Sequence, residues 1–212
     1  MKANKALYLG LAILVGGCVP VISLQPLFTK DTLFFDEHLL GTWVENPSDT
    51  SSAWVFTRLG QGDADTLPDA LKDSADKVYH LGLTDPEGRK GSFFACLVKL
   101  DSNVFLDIFP DVLPSGQGDP EKAELFYNAF LFVRAHTFVK VDLSGNRMSM
   151  WLTNDDKING LLESRPSPIA YESVDDQPIL TASTKDLQAF VSHYAGDDRV
   201  FADEIILERL PQ

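Results

Sequence analysis

The sequence predicts a mainly β protein, an antiparallel barrel or strongly curved sheet with one to three short helices packed against it. Three observations lead there. Apolar and polar residues alternate through Val139, Val141 and Leu143 and again through Met148, Met150 and Leu152, the period of a strand with one buried face. Turn-forming runs, Asp85-Pro86-Glu87-Gly88, Asp101-Ser102-Asn103 and Ser144-Gly145-Asn146, recur between apolar segments. Clear helical periodicity is confined to residues 184–195.

Taken in order, Trp43-Val44-Glu45 opens the strands and residues 53–59 follow. Residues 77–84 and 92–100 flank the Asp85–Gly88 turn as a hairpin, and 104–109 runs back after the next turn. Residues 136–143 and 147–153 make a third hairpin, and 204–210 is the last strand. In the main helix Ser183 is the cap, Asp186 stands at the third position and Gly196 is the stop. Its Leu187, Phe190, Val191 and Tyr194 fall on one stripe, which predicts core packing. Ile158, Leu161 and Leu162 predict a shorter helix ending before Pro166, and Asp119-Pro120-Glu121 marks the opening of another. The acidic stretch 60–76 and the Pro/Gly-rich stretch 111–120 read as surface excursions from a single domain.

The N-terminus has a different character. Lys2 and Lys5 precede an apolar run from Ala6 to Val15 and the small pair Gly16-Gly17. Ten or so apolar residues fall well short of the ~20 that cross a bilayer as helix, so residues 1–17 read as a signal peptide. Leu14-Val15-Gly16-Gly17-Cys18 is similar to the lipobox of bacterial lipoprotein precursors. That resemblance implies export, cleavage before Cys18, acylation of that cysteine and attachment to the cell membrane through its lipid. With Val19 following, it also implies the outer membrane if the host is Gram-negative. Residues 18–32, with Pro20 and Pro26 and little periodicity, read as the lipidated cysteine and an extended tether, and 33–212 as the folded domain.

Losing residues 1–17 removes Lys2 and Lys5 and moves the formal charge from −13 to −15. So acidic a chain repels phosphate backbones and anionic headgroups, which argues against nucleic acid as a partner. Cys96, in the apolar run Phe93-Phe94-Ala95-Cys96-Leu97-Val98, reads as a small buried hydrophobe.

Phe35-Asp36 followed by Leu40-Gly41-Thr42-Trp43 resembles the opening of lipocalins and the wider calycin group. The resemblance implies a short helical turn leading through Gly-x-Trp into the first barrel strand, with the tryptophan closing one end. It also implies an arginine of the last strand packed across the indole, a part open to Arg209. The alternative is another antiparallel sheet packed against helices, with Trp43 simply a core residue at a strand start.

Motifs for catalysis or metal binding are absent: His38, His80, His136 and His193 are scattered singly, and no nucleophile is paired with a base. The expectation is a non-enzymatic protein with no cofactor. Asp107 shares a strand face with Phe105 and Phe109 and therefore needs a partner, for which Arg134 and Arg147 are candidates. His136, at the head of a strand, is placed to line a barrel mouth. Trp43, Asp107, His136 and Arg209 are the candidate ligand-binding residues. Phe94, Phe105, Phe109, Phe138 and Trp151 are expected to fill the barrel or line a pocket in it. The expected function is that of a membrane-anchored lipoprotein that binds an apolar or amphipathic ligand or an envelope protein. A structural or interaction lipoprotein with a filled core is the alternative.

Overall fold

A computed structural model describes residues 21–60, 63–111, 133–153, 155–175 and 177–211. Twelve strands are formed among them: β1 (Ile22–Ser23), β2 (Leu33–Phe34), β3 (Gly41–Val44), β4 (Ala53–Arg58), β5 (Val78–Thr84), β6 (Lys90–Leu100), β7 (Asn103–Pro110), β8 (Thr137–Ser144), β9 (Arg147–Thr153), β10 (Tyr171–Val174), β11 (Gln177–Leu180) and β12 (Phe201–Arg209). The helices are α1 (Asp69–Lys72), α2 (Asp155–Leu162) and α3 (Thr184–His193).

Each strand from β3 to β9 pairs antiparallel with the next, and β12 closes the ring between β9 and β3, giving an eight-stranded up-and-down barrel. The expected fold class is therefore the observed one. The alternation read in β8 and β9 points Val139, Val141, Met148 and Met150 inward, where they join Trp54, Phe56, Leu81 and Leu97. At the β8–β9 turn, Gly145 takes a φ of 61°, which glycine adopts without the clash a Cβ would bring. The expected helix 184–195 ends two residues early, at His193, and Ser183 Oγ accepts the Asp186 backbone N–H at 3.2 Å as its cap. The last strand starts at Phe201, three residues before its expected start. The helix expected after Asp119 lies outside the described residues.

A second layer covers one outer wall of the barrel. Residues 93–98 and 104–109 are apolar without interruption apart from Asp107, so β6 and β7 carry apolar side chains on both faces. Ala95, Leu97, Leu106 and Ile108 face the interior. Phe94, Cys96, Val98, Phe105 and Phe109 face outward into a separate cluster with α2, α3 and the N-terminal segment. This corrects the placing of the aromatics. Phe94, Phe105, Phe109 and Phe138 all lie on the outer wall, and Trp151 packs against the same cluster beneath Lys140, whose Nζ is 4.9 Å from its ring centroid. Among the described residues the buried interior aromatics are Trp43, Trp54, Phe56 and Tyr79, with Phe93 packed against the same cluster. The stretch 60–76 also does more than decorate the surface, since Leu67 and Leu71 are buried in the outer cluster.

The second correction concerns the tether expected over residues 18–32. From Val21 onward the chain is part of the fold. β1 runs parallel to β11, which pairs with β10 in a small three-stranded sheet. Leu27 is 0% exposed and its carbonyl accepts from Gln188 Nε2 of α3 at 2.7 Å. Thr184 Oγ1 donates to the Pro26 carbonyl at 2.8 Å, and β2 pairs with β6. Residues 21–34 thus form a strap laid along the outer wall. The segment is without helix from Val21 to Phe34, in keeping with the extended chain read from the sequence, but its apolar Val21, Leu27 and Phe28 are buried.

Leu27→Ala is expected to lower stability by about 2–5 kcal/mol, the usual range for emptying a buried leucine site. Urea denaturation of a domain beginning at Val21 measures it; an unchanged midpoint would restore the tether.

Candidate functional site

The four residues singled out in the sequence come together as two pairs at separate places. Trp43 and Arg209 meet at one end of the barrel. Asp36 Oδ1 accepts the His38 N–H at 2.9 Å and caps a short 3-10 turn over Glu37–Leu39, which leads into Gly41 at a φ of 125°, a conformation that side-chain-bearing residues rarely adopt. The chain then enters β3 with Trp43 turned inward and 0% exposed. Its indole N–H donates to the Leu39 carbonyl at 2.8 Å, so the ring's one polar group is satisfied. Arg209 lies opposite Trp43 in the β12–β3 register, its guanidinium carbon 5.8 Å from the ring centroid. Asn146 Oδ1 holds that guanidinium, accepting from one terminal nitrogen at 2.7 Å and from Nε at 3.2 Å. Tyr79 completes the plug: its hydroxyl accepts from the Asp36 N–H at 2.6 Å and donates to the Asp36 carbonyl at 3.0 Å. Burial raises the Tyr79 phenol pKa well above its ordinary range, keeping that hydroxyl a donor.

Asp107 and His136 meet on the outer wall. The partner expected for Asp107 was an arginine. Instead the Nδ1–H of His136 donates to Oδ1 at 2.8 Å and the backbone N–H of Leu27 donates to Oδ2 at 2.7 Å. Asp107 is 0% exposed and His136 6%. The imidazole packs on Phe109 and Phe28, with ring centroids 4.9 and 6.0 Å away, and the His136 backbone exchanges two hydrogen bonds with Ser23. His136 is therefore walled in beneath the strap and does not line the barrel mouth. Each oxygen of the carboxylate is used, as the burial of so polar a group requires. Cys96 stands across from Asp107 in the β6–β7 register. Burial, reinforced by the Asp107 charge, pushes its thiol pKa well up, so this wall supplies no thiolate. The cluster has the chemistry of a clamp.

A further grouping had no signal in the sequence, because it joins single residues from three separate segments. His80 on β5, Ser92 on β6 and Asp111 just beyond β7 lie together on the barrel's outside. Ser92 Oγ is 2.9 Å from His80 Nε2 and donates to Asp111 Oδ2, which is 3.4 Å from the same imidazole nitrogen. These are the side chains of a serine triad in the wrong order: the hydroxyl gives its only proton to the carboxylate and leaves the imidazole none to take. Near Asp111 the other expected partner of Asp107, Arg134, keeps a buried Nε with no hydrogen-bond partner among the described residues, and burial lowers its pKa. Among the described residues no three His, Cys, Asp or Glu side chains converge where a metal ion would fit.

Two open grooves lie outside the barrel. One, of about 640 Å³, runs between α3 and residues 167–170 and is lined by Ile169, Ala170, Ala182, Ala189, Phe190 and Tyr194 among others. The other, of about 490 Å³, follows β3 and β4 past Thr42, Val55, Thr57 and Leu210. Neither touches Asp107 or His136.

Removing either member of the buried pair leaves the other without its partner, so Asp107→Ala and His136→Ala are each expected to cost about 3–5 kcal/mol. The double variant should cost clearly less than their sum, since the two losses share one interaction; strict additivity in chemical denaturation would show that the pair is not coupled. Trp43→Ala should also cost about 3–5 kcal/mol, and an unmoved midpoint for that variant would contradict its role as the plug.

No protein family, no curated protein and no solved structure matches this chain, so its reading rests on the residues and their geometry.

Proposed function

We propose that this protein is a lipid-anchored component of the bacterial cell envelope, exported, acylated on Cys18 and working as a non-enzymatic interaction platform. The observation that carries the platform reading is the state of the barrel interior. Side chains from all eight strands pack there into one continuous buried cluster, closed at one end by Trp43. A small barrel filled in this way presents its outside to partners instead of holding a ligand in its centre. The outside is also unlike that of a membrane-spanning barrel, which is apolar outward and polar inward. Here Arg147, Glu204 and Glu208 are exposed on the wall, while Met148, Met150, Ile205 and Leu207 of the same strands point in. Among the described residues no helix is long and apolar enough to cross a membrane. The anchor in this reading is the lipobox at Leu14–Cys18, which lies outside the described residues. The Trp43–Arg209 pair supports a distant kinship with calycins, whose barrel would then have been turned from ligand carriage to interaction.

A second reading, binding of an apolar or amphipathic small molecule, is favoured by one feature, the groove beside α3. Its volume of about 640 Å³ lies within the ~300–1,000 Å³ of ordinary ligand sites, and its lining includes three alanines with Phe190 and Tyr194.

Native mass spectrometry of the domain purified without detergent, alongside uptake of a fluorescent fatty-acid probe, separates the two. The platform reading expects no added mass and no probe uptake. Added mass together with uptake lost in Ala189→Trp, which fills the groove, would replace it with ligand binding.

A further inference from the structure

The strap makes the distance between lipid and fold very short. Val21 is 1% exposed, and its carbonyl accepts from Thr137 Oγ1 at 3.2 Å. Ile22 and Ser23 are already paired with Ile179 and Leu180. Only Val19 and Pro20 stand between Val21 and Cys18. Three residues of fully extended chain reach about 10 Å. The headgroup layer on one side of a bilayer is itself about 5–8 Å deep. Whatever the conformation of those residues, a lipidated Cys18 leaves Val21 no room to stand off the membrane.

The direction of approach follows from topology. β1 runs parallel to β11, so the chain before Ile22 comes from the side where β11 begins, which is the β10–β11 turn. Val174 closes that turn by pairing with Gln177, and it is 50% exposed. Glu172 and Asp175 flank it in exposed positions. Two aspartates separate the paired Val174 and Gln177, so this end of the domain is acidic beside one exposed valine, which suits a zwitterionic headgroup layer and is repelled by an anionic one.

Resting on the lipoprotein reading, we infer that the domain lies flush on a zwitterionic lipid surface, with the Val174 turn against the headgroups. The barrel does not swing on a leash. Ser23–His136 and Leu27–Asp107 fix the strap to the wall, so the anchor sets the orientation of the barrel as well as its location.

The test uses the full lipidated chain. Metabolic labelling with a fatty acid comes first: label on the wild type and none on Cys18→Ser is expected, and an unlabelled wild type would overturn the anchor on which the inference depends. The lipidated protein is then placed in phosphatidylcholine vesicles carrying a headgroup spin label. A fluorophore is attached at Val174→Cys or at Ser102→Cys. Cys18 has no free thiol once acylated and Cys96 is buried, so labelling is confined to the new site. Ser102 lies at the far turn of the β6–β7 hairpin, six residues from Ile108, the partner of Thr137, or about 20 Å along the strand. At least twofold stronger quenching at position 174 than at 102 is expected. Inserting twelve Gly/Ser residues between Pro20 and Val21 should bring the two to the same level. Equal quenching in a labelled, acylated protein without the insert would overturn the flush orientation while leaving the lipid anchor intact.

Discussion

The second layer depends on one buried carboxylate. Asp107 occupies the outward face of a strand whose neighbours on that face are phenylalanines, a position where an unpaired charge would cost several kcal/mol. Its two oxygens are satisfied by a backbone N–H from the strap and an imidazole N–H from the head of β8. That arrangement ties together three segments far apart in the chain. Replace it with a hydrophobe and the strap keeps its burial, but its register against the wall is no longer specified by a directional contact. An apolar surface accepts many placements of Leu27 and Phe28, whereas a carboxylate with two donors accepts one.

How much of this was legible follows from which interactions leave a mark in sequence. The interior was readable because strand alternation states which side chains share a face, and β8 and β9 alternate cleanly. The outer layer was readable in principle from the unbroken apolar runs at 93–98 and 104–109, since a strand apolar at every position has both faces covered. Reading those runs as barrel filling put their aromatics on the wrong side. The partner of Asp107 was not legible. One donor is a backbone N–H eighty residues upstream, and peptide groups carry no residue-type signature. Trp43 and Arg209, 166 positions apart, were joined only through the lipocalin pattern, because two residues at opposite ends of a chain have no periodicity in common. The strap was misread because prolines and weak periodicity describe extended chain equally well whether it is solvated or pressed against a wall.

The filled barrel and the covered wall leave a division of surfaces. Side chains with the residue types of chemistry, Asp107, His136 and Cys96, are all consumed in holding the layers together. Among the described residues, what remains accessible includes the outer face around β3, β4 and β12, the His80–Ser92–Asp111 grouping and the two grooves. The two residues that stood out in the sequence for their chemistry, Asp107 and His136, are among those most firmly committed to architecture.

The strap also fixes an order of events. Its contacts are with His136, Asp107, Thr184 and Gln188, so the first segment of the folded domain finds its partners only after nearly the whole chain is present. Closing loops of that length is slow compared with forming the local hairpins β5–β6, β6–β7 and β8–β9. A chain that emerges from its N-terminus therefore keeps residues 21–34 unseated until α3 is present. The earliest described segment of the chain is thus among the last to be seated, by connectivity alone.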